Sequence, residues 1–343
     1  MKARRQTAPI PTGRTLLLIA VLVVVTIGGL YVLLPALAGL KSTWSRVSQG
    51  DVLWLVAAAG FEALSFLSYI VAFRGVFSGG STHISWRDGY RITMAGVVAT
   101  RLLATAGAGG IVLTVWALDR AGMPRREIAS REATFLVLLY GLYMTALVVV
   151  GVGLRTGVLP GPQSFGLTVV PALFGAAVIA VSVAAMIFAG DLESAADRFK
   201  SASGPFARTV RAAATAPATL AAGVKGMLSL TRARKSELLG AVGWWAFDIA
   251  VLFASLRAFG GNPEFSIVVM AYFVGMLANT LPVPGGIGAV DGGMIGALIG
   301  FGVDAGLAIV AVLTYRLFAF WLPIVPGVIA YVQLVREEPA PSG

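Results

Sequence analysis

Asn279-Thr-Leu-Pro-Val-Pro-Gly-Gly-Ile-Gly-Ala-Val-Asp291 interrupts an apolar region with two prolines and three glycines and ends on a carboxylate. Backbone broken in this way frees N–H and C=O groups that lipid cannot satisfy, so the stretch must be buried in protein or line a polar cavity. That makes it the candidate functional site. Pro282 and Pro284 shape the turn, while Asn279, Gly285, Gly286, Gly288 and Asp291 are the groups it offers to a ligand.

The surroundings support a membrane setting. Of 343 residues, 57% are hydrophobic and 12% charged, with a mean hydropathy of +0.86. A soluble domain carries about 25% charged residues, so most of this chain belongs in a bilayer. The absence of cysteine excludes disulfides, thiolate metal sites and cysteine nucleophiles, and the one histidine, His83, cannot build a histidine metal cluster. No metal and no cofactor are expected, and nothing resembles an ATP-binding loop. The net charge of +10 points to positive loops against an anionic inner leaflet. Without a nucleic-acid-binding module, it does not point to nucleic acid.

Working outward, Phe265–Leu281 and Ile287–Phe301 flank the opening stretch as short arms. Ala305–Val335 follows, holding Arg316 and broken by Pro323 and Pro326. Upstream, apolar runs at Leu238–Ala258, Leu167–Ala189, Ala133–Leu154, Val52–Phe73 and Leu16–Leu34 read as spans. The first is too long for a signal-peptide core of about 7–15 residues, although Ala36-Leu-Ala38 resembles a cleavage site. Ser85-Trp-Arg-Asp88 has capping-box spacing and predicts a helix start, and Pro124 is placed as a first-turn proline. In the polar segment 190–237, Phe206, Val210, Ala213, Leu220, Val224 and Met227 recur at mostly three- and four-residue steps. This fits amphipathic helices on the inner leaflet, or a solvated linker with helical bias.

A second break lies at Ala106-Gly107-Ala108-Gly109-Gly110, between Ile92–Ala104, which contains Arg101, and Ile111–Leu118. Neither arm reaches the roughly 20 residues a span needs. Two short arms around a Gly-rich tip suggest a re-entrant hairpin shaped by Gly107, Gly109 and Gly110; one kinked helix over Tyr90–Leu118 is the alternative. With the N-terminus in the cytoplasm, twenty of the 26 Lys and Arg fall on the cytoplasmic side and four outside, leaving Arg101 and Arg316 in the membrane. This bias sets the orientation and puts the two broken elements on opposite sides. Gly109-Gly110-Ile111 answers Gly285-Gly286-Ile287, and Ala133-Thr-Phe135 echoes Leu313-Thr-Tyr315. Similar elements of opposite orientation suggest an inverted repeat, an architecture of alternating-access transporters.

Glu62, Arg101, Asp248 and Arg316 sit inside apolar segments, and Asp291 follows the second tip. Charges at bilayer depth cost about 2.5–3.5 kcal/mol each on insertion scales, so each needs a role. For Glu62 and Asp248, an ion pair locking helices and a part in coupling are both open. Arginine suits phosphate because its planar fork donates two bonds at once and stays charged in an apolar site. Arg101 and Arg316 can pass a phosphate headgroup between them, and Asp291 can release Arg316 by taking a proton or bind a cationic headgroup.

Asn279 to Asp291, with Tyr315-Arg316 and Phe320-Trp-Leu-Pro323 downstream, resembles the membrane region of the lysylphosphatidylglycerol synthase family, also called flippase-like. Members typically show Asn, then Pro-x-Pro-Gly-Gly-Ile-Gly, an acidic residue and a later Tyr-Arg. Asp291 stands where Glu is usual, and the first hairpin has Arg101 and Ala-Gly-Ala-Gly-Gly where the family more often shows Asn and Pro. The resemblance implies a polytopic fold with re-entrant helices that moves a lipid between leaflets. The chain stops at Gly343, which leaves no room for the aminoacyl transferase domain of some members, so no enzymatic activity is expected.

The expectation is an all-α polytopic membrane protein with about six to seven spanning helices and two re-entrant helix hairpins in an inverted repeat. One transmembrane domain covers 15–335, between a basic tail at 1–14 and a short tail at 336–343. Both termini are cytoplasmic in the inner membrane. The expected activity is movement of a phospholipid, glycolipid or polyprenyl-linked sugar, with Arg316, Asp291, Arg101, Asn279, Tyr315 and the tip glycines as ligands. Self-association is compatible with this. A scaffold for an envelope-biosynthesis enzyme, docking through 190–237, is the reading of a different class, and a small-molecule or ion transporter is a third.

Overall fold

The computed structural model describes residues 50–78, 83–102, 108–188, 207–232, 237–280 and 286–336. The basic tail, the helix expected at Leu16–Leu34, Gly107, Pro282, Pro284 and Gly285 lie outside the described residues. The described chain is helical throughout. Its elements are α1 (Val52–Phe77), α2 (Trp86–Leu102), α3 (Ala108–Arg120), α4 (Arg125–Thr156), α5 (Phe165–Ile187), α6 (Ala207–Arg232), α7 (Glu237–Ala258), α8 (Phe265–Leu277), α9 (Ala289–Gly300), α10 (Ala305–Arg316) and α11 (Ile324–Arg336). Among the described residues, five segments are long and apolar enough to cross a membrane: Val52–Phe77, Arg125–Thr156, Phe165–Ile187, Leu238–Ala258 and Ala305–Arg336.

The interior is apolar, and large apolar side chains cover the outer face as well. On α1, Glu62 and Ser65 are buried while Val56, Leu64 and Leu67 face outward. On α5, Ala172 and Thr168 are buried, and Leu173, Phe174 and Val181 are exposed. Apolar surface is at home in lipid, so helix contacts are made by small residues that let backbones approach. A β-carbon on Gly175 would lie 2.7 Å from Met144 O, which is why α5 can lie against α4.

Local signals start the helices. Ser85 caps α2: its hydroxyl accepts from the Asp88 N–H (3.1 Å) and donates to Asp88 Oδ2 (2.6 Å). Asp51 and Asp304 cap α1 and α10, accepting from the N–H groups of Leu53 and Leu307. Pro124 precedes α4 at the cap position, one residue before its expected place.

Both broken regions fold back on themselves. Gly96 and Gly110 meet across α2 and α3, where a β-carbon on Gly110 would lie 2.9 Å from Gly96 O and run into the Thr100 side chain. One continuous helix would hold residues 96 and 110 about 21 Å apart, so the kinked-helix alternative is excluded. In the second hairpin, Gly275 on α8 abuts Gly293 and Met294 on α9. The 13 residues of α8 and 12 of α9 reach about 20 and 18 Å, short of a hydrocarbon core of about 30 Å. A β-carbon on Gly275 would sit 2.8 Å from Met294 N. Gly275→Ala should therefore cost about 1–3 kcal/mol by overpacking. Gly296→Ala, with open space around it, should be neutral or stabilising by up to about 1 kcal/mol. Thermal unfolding of the two purified variants checks the contrast.

α1 and α7 pack antiparallel along their length. Asp51 N–H donates to Ala258 O (2.8 Å), Ser65 Oγ to Trp244 O (3.1 Å), and Phe61 stacks on Phe247 with centroids 6.3 Å apart. Phe61-Glu62 thus meets Phe247-Asp248 where the helices cross. The order of long helix, hairpin, long helix occurs twice, as α1 to α4 and as α7 to α11.

Within the polar segment, α6 is one 26-residue helix packed on protein. Ala221 and Val224 are buried. A β-carbon on Gly223 would lie 2.7 Å from Ala133 O, and one on Gly226 would run into Thr134. The face read from the sequence as lipid-directed lies, at these residues, against α4.

Candidate functional site

The last long segment breaks where its sequence requires it. After Tyr315-Arg316, residues Leu317–Trp321 form a π turn in which Leu322 N–H donates to Leu317 O (2.9 Å). Pro323 has no N–H, so Ala319 O loses its helical donor. Arg101, at the end of α2, supplies the replacement: Nη2 donates to Ala319 O (2.6 Å) and Nη1 to Phe320 O (2.7 Å). Its guanidinium also lies 5.1 Å from the Phe320 ring centroid and 5.8 Å from that of Phe66.

The second hairpin reaches the same turn. Gly288 precedes α9 with φ +81°, and its N–H donates to Asp291 Oδ2 (2.8 Å), so the acid closes the first turn of α9. Asp291 Oδ1 pairs with Arg316 Nε at 2.5 Å. The pair is sequestered, with Asp291 2% and Arg316 9% exposed. The Arg316 guanidinium lies 4.5 Å from the Phe320 centroid, and Ile287 packs against Phe320, Trp321 and Ile324. Two arginines thus flank one phenylalanine ring, each carried there by a different part of the chain.

Deeper in, Asp248 Oδ2 accepts from the hydroxyls of Tyr272 and, at 3.1 Å, Tyr315. Glu62 and Asp248 are neighbours across the α1–α7 contact, each following one ring of the Phe61–Phe247 stack. Both acids are buried, as are both tyrosines.

Of the residues expected at the site, Arg316, Asp291, Arg101, Tyr315, Glu62, Asp248 and Gly288 gather here. Asn279 does not reach the ion pair. It lies beside Gly286 across the neck of the second hairpin, with Nδ2 3.4 Å from Met276 Sδ. Gly109 is buried and Gly110 is the close-approach point of the first hairpin. Arg101 is committed to backbone carbonyls, a role that residue types alone did not indicate. Tyr272 and Phe66 were missed. A tyrosine within the apolar arm α8 was the available signal, because a buried hydroxyl needs a partner.

Residues 16–327 match the family described as "Lysylphosphatidylglycerol synthase TM region". Among curated proteins, the chain is similar to three described as "UPF0104 membrane protein" from Methanothermobacter thermautotrophicus. One is 31% identical over 117 residues, 32% of this chain and 35% of the relative. A second is 29% identical over 97 residues, 28% of each. The third is 31% identical over 87 residues, 25% of this chain and 26% of the relative. The matched stretches therefore span about a third or less of those relatives. The family match covers nearly the whole chain, and the protein belongs to the lysylphosphatidylglycerol synthase transmembrane-region family.

Proposed function

We propose that the protein is a flippase-like transporter that moves a phosphate-bearing lipid between the leaflets of the cell membrane. The lipid class is phospholipid, phosphate-bearing glycolipid or polyprenyl-phosphate-linked sugar. The observation that carries this reading is the Arg316–Asp291 ion pair, buried beside a π turn to which both hairpins are tied. Arg316 is a permanent cation with planar donors, and a lipid phosphate can take the place of the Asp291 carboxylate as its partner. Asp291 gains freedom to be replaced when it takes a proton or turns to a cationic headgroup. The aromatic ring between the two arginines keeps the site apolar enough to strengthen such pairing.

In this reading the hairpins are re-entrant from opposite faces, which the short arms of the second hairpin favour, and the charge bias favours cytoplasmic termini. The energy comes from the lipid gradient or from protons. The protein itself catalyses no covalent step.

The test uses proteoliposomes containing acyl-NBD phosphatidylglycerol or acyl-NBD glucosylceramide, with dithionite reporting the outer-leaflet fraction. Faster movement of the phosphate-bearing probe alone is expected. Equal movement of both probes, or of neither, contradicts the reading. The scaffold alternative predicts no movement, together with loss of a co-purifying envelope enzyme when 207–232 is scrambled.

A further inference from the structure

Glu62 and Asp248 stand at the crossing of α1 and α7, each preceded by a phenylalanine that stacks on the other. Glu62 is 5% exposed, and its Oε2 has no hydrogen-bond donor among the described residues. The acid beside it across the helix contact is Asp248, which follows the other ring of the Phe61–Phe247 stack and when ionised is an acceptor only. Two acceptors at this range need a proton between them. Asp248 already takes the hydroxyls of Tyr272 and Tyr315 on Oδ2, so Glu62 is the acid left to carry it.

The charges facing the pair lead to the same count. Arg101 on α2 is the near cation, and its Nη1 and Nη2 serve the carbonyls of Phe320 and Ala319. Arg316 on α10 is balanced by Asp291 on α9. Tyr272 on α8 and Tyr315 on α10 are the remaining titratable neighbours among the described residues. Glu132 and Tyr140 on α4 face Tyr69, about two helical turns along α1 from Glu62, and not the pair itself. With one proton on Glu62, the buried cluster of two arginines and three acids is neutral. Without it, the cluster carries a net negative charge in a medium where an unpaired charge is costly.

We propose that Glu62 and Asp248 form a single exchangeable proton-binding site between the two halves of the fold and, resting on the flippase reading above, that lipid movement is coupled to it. The step is RCOO⁻ + H⁺ → RCOOH, with no other bond made or broken. The coupling element is geometric. Asp248 is held by a tyrosine of the second hairpin and by one beside Arg316, so movement of the hairpin or of α10 changes which acid can keep the proton.

The site is tested by infrared spectroscopy of the whole protein in nanodiscs at neutral pH, in H₂O and D₂O. The wild type minus Glu62→Gln difference should show the C=O band of a protonated carboxylic acid, shifted in D₂O. Asp248→Asn should abolish the same band and Glu132→Gln should retain it. A difference spectrum with no such band, or one that does not shift in D₂O, overturns the site. Coupling is read separately from the leaflet distribution of acyl-NBD phosphatidylglycerol under an imposed pH gradient. One pH unit is worth about tenfold per proton at equilibrium, so the wild-type distribution should shift by up to that factor and that of Glu62→Gln should not. Lipid movement indifferent to the gradient overturns the coupling. If the wild type moves no lipid at all, the flippase reading and the coupling fail together, while the infrared result still decides the proton site.

Discussion

Arg316→Ala is expected to destabilise the protein by about 3–5 kcal/mol, the cost of leaving one partner of a buried ion pair uncompensated. Asp291 is 2% exposed and its carboxylate has no water to return to. The variant also loses the cation lying 4.5 Å from the Phe320 centroid, an interaction worth about 0.5–2 kcal/mol. Asp291→Ala should cost a similar amount, with about 1 kcal/mol more for the lost bond to the Gly288 N–H. The double variant Arg316→Gln/Asp291→Asn keeps the shape and removes both charges, and it should recover most of that loss, because replacing a whole buried pair is far cheaper than breaking it. Thermal unfolding in detergent, followed by fluorescence-detected size exclusion, measures all three. Equal destabilisation of the single and double variants would mean that the pair is not what links α9 to α10.

The second large effect belongs to Arg101. Its two bonds, one to the Ala319 carbonyl that Pro323 leaves without its helical donor and one to the Phe320 carbonyl, are charge-assisted and worth about 1.5–3 kcal/mol each. Arg101→Ala should therefore cost several kcal/mol and loosen the link between the first hairpin and the π turn. Arg101→Lys, a single point charge, should recover part of it. Pro323→Ala restores an N–H four residues after Ala319. If the assignment is right, the cost of Arg101→Ala falls in that background, giving a coupling energy within the usual range of about 0.5–3 kcal/mol. Strictly additive costs would separate Arg101 from the proline break.

Much of this architecture could be read in the residues. The spans stand out because apolar length is set by bilayer thickness. The hairpins stand out because Gly109-Gly110 and Gly286–Gly288 break apolar runs into shorter arms. Ser85 and Asp88 signal their helix start by spacing alone. The partners of the buried charges were not legible. Arg101 bonds a carbonyl 218 positions away, and no local pattern encodes that distance. A clue existed, since a proline inside a span frees a carbonyl and a buried arginine elsewhere is a donor in search of one. Asp248 likewise meets Tyr272 and Tyr315 only after the fold closes. On α6, the apolar periodicity was read toward lipid, whereas Gly223 and Gly226 were the close-packing signal that brings the helix onto α4.

The claim that Arg316 takes the lipid phosphate in exchange for Asp291 is tested most directly with the charge-neutral double variant, because it separates function from folding. Dithionite-detected movement of acyl-NBD phosphatidylglycerol is measured in proteoliposomes matched for folded protein. Arg316→Gln/Asp291→Asn should be stable and yet fall to the rate of protein-free vesicles. Movement at the wild-type rate would contradict the account.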